Sequence, residues 1–187
     1  MEQTFSRVVT GHDSRGRAVI AMEGEPPTVV PLRAVPGMIF HEIWNTGASP
    51  ARIDNGADPT LKPLQLQPPS RGSTIRVVDF PPDSVRAALS EQDAAAAFAE
   101  VGAASAGTGH ASSRHHMMHR TQTIDYGIVL CGEMWLVLDE GEVRLRPGDI
   151  VVQRGTNHAW SNRTETTTRM VFILLDGQYA DEIRPQS

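Results

Sequence analysis

Short apolar runs, broken by glycine, proline and polar residues, recur along the chain. Their β-branched and aromatic content reads as strands. The pattern predicts strands at Phe5–Thr10, Arg17–Met22, Met38–Trp44, Thr74–Phe80, Met117–Thr123, Ile128–Cys131, Met134–Asp139, Glu142–Arg146, Ile150–Gln153 and Thr167–Leu175. Stretches rich in Pro, Asn, Asp and Gly at 23–36 and 45–73 read as loops. One segment departs from this pattern. Pro81-Pro82-Asp83 leads into SVRAALSEQDAAAAFAE. Asp83 suits an N-cap and alanine is the best helix former, so a single helix is predicted over about 84–100. Alanine on both faces makes it weakly amphipathic, a surface connector between two sheet portions. Gly102, Gly107 and Gly109 end it and begin a flexible linker, giving a helix-and-linker insertion over about 83–112. Strands are densest over 117–175. Tight turns at Glu140-Gly141 and Pro147-Gly148-Asp149 join them, as in a small antiparallel barrel or jelly roll.

Composition narrows the class. The 187 residues suit a single domain spanning 1–187, with its core at 117–175. Hydrophobic residues at 40% and charged residues at 21% are a globular mix. A net charge of -5 argues against a partner that binds through basic charge, so neither nucleic acid nor an acidic membrane surface is expected. No apolar run approaches the roughly 20 residues of a membrane span. The first residues lack the charged-then-apolar layout of a secretory signal. The single Cys131 excludes an internal disulfide and fits a reducing compartment. The expected location is therefore cytoplasmic.

The candidate chemistry lies in HHMMHRTQTIDY at 115–126 and GTNHAWSN at 155–162. Met117, His119, Thr121, Thr123 and Asp125 share one parity, so an extended strand would turn them to one face. His158, Trp160 and Asn162 share another. If both strands line a barrel interior, His119, Asp125 and His158 converge. Two imidazoles and a carboxylate form a set suited to ferrous iron, with Mn, Ni and Zn as competitors. Thr121 would add a weak or water-mediated contact. Met117 would line the cavity and Trp160 would wall it. Tyr126, of opposite parity, would face outward. Arg120 and Arg154 either hold a substrate carboxylate or are solvated. No G-x-S-x-G, P-loop or dinucleotide glycine fingerprint is present.

These residues resemble the two signature motifs of the cupin superfamily. The first, G-x5-H-x-H-x3,4-E-x6-G, is similar to His119-x-Thr121-x3-Asp125-x6-Gly132. The second, G-x5-P-x-G-x2-H-x3-N, is similar to Gly148 followed by Gly155-x2-His158-x3-Asn162. The strings GHDSRGRAV, STIRVVDFPPD and PGDIVVQRGTNHAWSN further resemble a subgroup of short single-domain cupins of bacteria and fungi, which has no single assigned reaction. The resemblance implies an all-β jelly-roll barrel whose N-terminal strands add to the same sheets, and a homodimer. It also implies a divalent metal held by His119, Asp125 and His158 at the barrel mouth. Two family positions are changed: Thr121 stands for a histidine and Asp125 for a glutamate.

Three functional readings follow. One is an enzyme using a divalent Fe, Mn, Ni or Zn ion for dioxygenase or isomerase chemistry on a small molecule. Another is a metal-free lyase, dehydratase or isomerase with His158 or His119 as general base and Asp125 as its orienter or acid partner. The third is a non-catalytic small-molecule binding protein.

Overall fold

The computed structural model describes residues 5–86, 90–109 and 114–184. Three strand groups build it. Strands β1 (Arg7–His12) and β2 (Ala18–Gly24) pair only with each other. Strands β3 (Thr28–Pro31), β4 (Ile39–Thr46), β5 (Ser73–Phe80), β6 (Thr123–Cys131), β9 (Ile150–Arg154) and β11 (Thr168–Asp176) form a sheet of order β3-β4-β5-β11-β6-β9. Strands β7 (Met134–Leu138), β8 (Glu142–Leu145) and β10 (His158–Ser161) form a second sheet of order β10-β7-β8. All pairings are antiparallel. Val78, Phe80, Met170, Phe172 and Leu174 of the large sheet share one core with Met134, Leu136, Leu145 and Trp160 of the small one. This is the mostly β barrel expected from the sequence. No helix among the described residues is long and apolar enough to cross a membrane.

Several local expectations are corrected. Of the N-terminal strands, β3, β4 and β5 join the large sheet as expected, while β1–β2 is a separate hairpin. It is fastened by Arg7, whose guanidinium donates to Ile43 O at 3.2 Å and pairs with Asp58 at 2.6 Å. Strand β3 lies inside the predicted 23–36 loop. It is a short edge strand ending at Pro31, where a missing N–H costs nothing. Strand β6 runs unbroken through Asp125 and Gly127. Gly127 is needed there because a Cβ would lie 3.2 Å from the Phe172 ring and 3.3 Å from Trp160. The predicted strand over 117–123 is reduced to a bridge at His119.

The predicted helix is two pieces, α1 (Asp83–Arg86) and α2 (Glu91–Glu100). The 87–89 stretch and the linker segment 110–113 lie outside the described residues. Ser90 restarts the helix: its hydroxyl accepts from the Asp93 N–H, and the Asp93 carboxylate accepts from the Ser90 N–H. Asp83 accepts instead from Ser161 Oγ at 2.5 Å and the Asn162 N–H at 3.1 Å, tying α1 to the end of β10. Helix α2 is more than a surface connector, because Ala94, Ala97 and Phe98 are buried. Nor does a free linker follow it directly. Val101, Ala103 and Ala106 are buried, and Gly107 bridges to His119.

Candidate functional site

The two motif histidines meet across the gap between the sheets. His119 and His158 form an antiparallel pair that exchanges both backbone hydrogen bonds, at 2.8 and 2.9 Å. Such pairing sets their side chains on the same side, and the ring centroids stand 4.2 Å apart. Nδ1 of His119 donates to Met117 O at 3.0 Å, and Nδ1 of His158 donates to Thr156 O at 3.0 Å. A carbonyl only accepts, so each ring carries its proton on Nδ1 and keeps a lone pair on Nε2. Burial pushes both imidazole pKa values down, that of His158 furthest, with the neighbouring His119 adding to the effect. Both rings are therefore neutral at pH 7.

The pair opens into a cavity of about 90 Å³. Phe40, Phe80, Phe98, Trp160 and Phe172 wall it, with Met117, Thr121, Asp125 and Arg76 among the other lining residues. Trp160 packs edge-on against His158 at 5.6 Å and against Phe172 at 5.2 Å. Phe98 reaches His119 at 5.3 Å from α2. The expected pocket residues Met117, His119, Thr121, Asp125, His158 and Trp160 all line this one space. Tyr126 is exposed on the other face. Arg120 and Arg154 are not among the lining residues. Asn162 is buried and structural: its amide donates to Phe80 O and Thr166 O, and its carbonyl accepts from Thr164.

Asp125 is buried, with Oδ1 unpartnered among the described residues. Burial pushes its carboxyl up to about 6, against the opposing pull of Thr123 and Arg76. Thr121 bonds the Thr123 hydroxyl at 2.8 Å rather than standing free as a ligand.

The donor set does not fit a metal held by the protein. Among the described residues, no three His, Cys, Asp or Glu side chains are grouped so as to hold a metal ion. The two imidazoles supply two lone pairs, and Asp125 does not complete a triad with them. Its side chain is one methylene shorter than glutamate, and Thr121 offers no third imidazole. His115 does not replace the missing ligand: its Nδ1 accepts from the Met117 N–H at 3.1 Å, and its Nε2 stands 3.8 Å from Asp83.

Sequence reasoning missed three contributors. Arg76 sat within a predicted strand without a motif to mark it. Phe98 and Ala97 sat in an alanine-rich helix whose buried face was masked by alanine on both sides. The buried burial-prone residue in α2 was Phe98, the one aromatic among the alanines, and that was the available signal.

The chain is similar to several known proteins. Residues 106–174 match the Cupin_2 model, described as a cupin domain. The chain is 36% identical over 184 residues to Phomopsin biosynthesis cluster protein C' of Diaporthe leptostromiformis, covering 94% of this chain and 80% of that protein. It is 32% identical over 182 residues to the cupin-domain-containing oxidoreductase fogC of Aspergillus ruber, covering 91% and 71%. Among solved structures, it is similar to a Cupin 2 conserved barrel domain protein from Salinispora arenicola, at 14% identity and a TM-score of 0.37, covering 79% and 87%. The sequence match over nearly the whole chain, with the two motif histidines paired at the barrel cavity, places this protein in the cupin family.

Proposed function

We propose that the chain is an enzyme that moves protons on a small apolar molecule with the His119–His158 pair, without a metal held by the protein. The observation that carries this reading is the pair itself. Two buried neutral imidazoles, each fixed at Nδ1 by a backbone carbonyl, keep their Nε2 lone pairs at an aromatic-walled cavity. A neutral Nε2 is a general base. It would take a proton from a carbon or hydroxyl next to a carbonyl of the substrate. The second ring, 4.2 Å away, disfavours a second positive charge, so the pair holds one proton at a time. Asp125, with a pKa near 6, has both protonation states within reach of neutral pH and would return a proton elsewhere on the substrate. Abstraction at one position and return at another is isomerisation; loss of a hydroxyl after abstraction is dehydration. The relatives named cupin-domain-containing oxidoreductases favour a second reading, in which the same base assists oxidation of the substrate by an external acceptor such as O2.

The test uses EDTA-dialysed protein, checked by elemental analysis, in D2O with a panel of cyclic ketones and hydroxy ketones. Proton NMR reads exchange at the carbons beside the carbonyl. Metal-free wild type should exchange at least one panel member, and His158→Ala should lose about a hundredfold or more in rate. Exchange that appears only after adding Fe, Mn, Ni or Zn would overturn the reading. So would exchange unchanged in both His158→Ala and His119→Ala, or none with any compound.

A further inference from the structure

Besides the two imidazoles, the cavity is lined by Arg76 and Asp125, each with a buried polar atom that has no hydrogen-bond partner among the described residues. Arg76 lies on the inward face of β5, 2% exposed. Its Nε and Nη2 pair with Glu42, at 3.0 and 3.3 Å, and Nη2 also donates to Gln65 O at 2.7 Å. Phe40 packs under the guanidinium, 5.8 Å from the ring centre. Nη1, which carries two N–H groups, has no hydrogen-bond partner among the described residues. Asp125, on β6 and 6% exposed, leaves Oδ1 equally unmet. Both residues line the histidine cavity. A buried polar atom left unpaired costs about 1–3 kcal/mol, more if charged. Water or a ligand in the cavity must therefore supply an acceptor to one and a donor to the other.

The charge count selects between ligand types. Glu42 already balances Arg76, and Asp125 adds a second acid facing the same space. A carboxylate entering beside Asp125 would meet a like charge in a dry cavity. A neutral molecule with one oxygen acceptor and one hydroxyl satisfies both groups without that penalty. Aromatic walls on the remaining sides accept an apolar body.

We infer that the ligand of this cavity is a neutral hydroxy-carbonyl compound with an apolar ring or chain, its carbonyl oxygen accepting from Arg76 Nη1 and its hydroxyl donating to Asp125 Oδ1. This deepens the acid–base reading and rests on it for the identity of the reacting cavity. Arg76 and Asp125 then fix which carbon faces the two imidazoles. The ligand's polar end is set by these two residues, and the length of its apolar body by the aromatic walls.

The experiment measures equilibrium binding by calorimetry with α-hydroxycyclohexanone, cyclohexanone, cyclohexanol and cyclohexanecarboxylate. It is run on wild type and on His158→Ala, whose proton transfer is disabled, so that a failure of binding selectivity is separable from a failure of the acid–base reading. α-Hydroxycyclohexanone should bind about tenfold tighter than either singly functional analogue, and the carboxylate should bind weakest. Asp125→Ala, which removes the acceptor, should keep the preference for the carbonyl and lose most of that for the hydroxyl. The double variant Glu42→Gln with Arg76→Gln, which removes both members of the buried ion pair together, should lose the preference for the carbonyl. Circular dichroism checks that each variant keeps its β fold. The inference is overturned if wild type binds the neutral probes alike, binds the carboxylate best, or binds none at millimolar concentration. It is also overturned if Asp125→Ala leaves the hydroxyl preference intact, a result that does not depend on the double variant folding.

Discussion

Replacing Asp125 by asparagine should make the protein more stable at high pH and leave it unchanged at low pH. The carboxyl sits buried in an aromatic-walled cavity, and burial raises its pKa from 3.8 to about 6. In the window between those values the native state binds more protons than the unfolded chain. Stability from this group is therefore complete below 3.8 and is lost as pH rises through about 6. A rise of about 2 pKa units corresponds to about 3 kcal/mol, the net cost of holding the ionised form buried. Asparagine has the same shape, carries no charge and resembles the protonated acid. The stability difference between Asp125→Asn and wild type should be near zero at about pH 4 and grow to about 3 kcal/mol by about pH 7–8. For a chain of this size that is about 6–12 °C in Tm. Urea unfolding of both proteins at fixed concentration, in steps across this range, reads the difference directly. Effects of other carboxylates on acid stability cancel because both proteins carry them. A difference that does not change with pH, or wild type the more stable at pH 8, would refute the reasoning that burial governs this residue.

Three further outcomes follow from other parts of the barrel. Arg169 grips Asp79 through Nε at 2.6 Å and Nη2 at 2.8 Å, with His41 at 3.0 Å, and these partners hold the carboxyl down at about 2, below its ordinary 3.8. That stabilisation is present above 3.8 and lost as pH falls through about 2, so Asp79→Asn should cost about 2 kcal/mol near neutral pH and flatten the acid limb of an unfolding titration; an unchanged acid limb refutes it. Gly132 has φ of 79°, and a Cβ there would lie 2.5 Å from Thr168 Oγ1 and 2.8 Å from its Cα, so Gly132→Ala should destabilise by about 2 kcal/mol or more; a Tm equal to wild type refutes it. The large sheet ends at strands β3 and β9, with Ile150 and Val152 exposed on β9, and light scattering should report twice the mass of one chain; a stable monomer refutes the homodimer.

The parts legible in the sequence were those with strong local signals. Runs such as Thr167–Leu175 and Thr74–Phe80 became β11 and β5 within a residue at each end, the first because inward and outward residues alternate along it, the second because it is a short apolar run buried over its last five residues. Asp149 stabilises the Pro-Gly-Asp turn as its type suggests, accepting from the Arg146 N–H at 2.7 Å. The site was legible as a list of residues, since parity on two strands placed His119, Thr121, Asp125 and His158 in one cavity. What parity could not supply was distance. It shows that side chains share a face, while the grouping needed for a metal depends on how the chain bends between His119 and Asp125. The 117–123 segment, taken for a regular strand, is mostly irregular. The helix break at Ser90 carried its signal in Ser90-x-x-Asp93, which alanine propensity overshadowed. Arg76 was invisible because a buried arginine in an apolar strand is recognised only once Glu42 and Gln65 are seen beside it.

The replacement of a motif histidine by Thr121 has an electrostatic consequence that unites the site. A divalent ion in a dry cavity needs nearby anions and several lone pairs, and it would pull a neighbouring carboxyl pKa down. Without an ion, the cavity's own groups set its charge. Its imidazoles are held neutral by burial and by carbonyl acceptors, and its carboxyl is raised rather than lowered. Its cation, Arg76, is already matched by Glu42. The Thr121 hydroxyl turns to Thr123 instead of offering a ligand, and Thr123 in turn bonds Asp125. The imidazoles are thus neutral and the cation is matched, and the Asp125 carboxyl has both protonation states within reach near neutral pH. A neutral base beside such an acid is suited to passing protons. The same substitution that removes a metal ligand leaves a pair of imidazoles and a high-pKa acid facing one another's substrate across an aromatic pocket. That arrangement ties the acid–base reading to particular residues, and restoring the ligand with Thr121→His is the change that would bring charge back into the cavity.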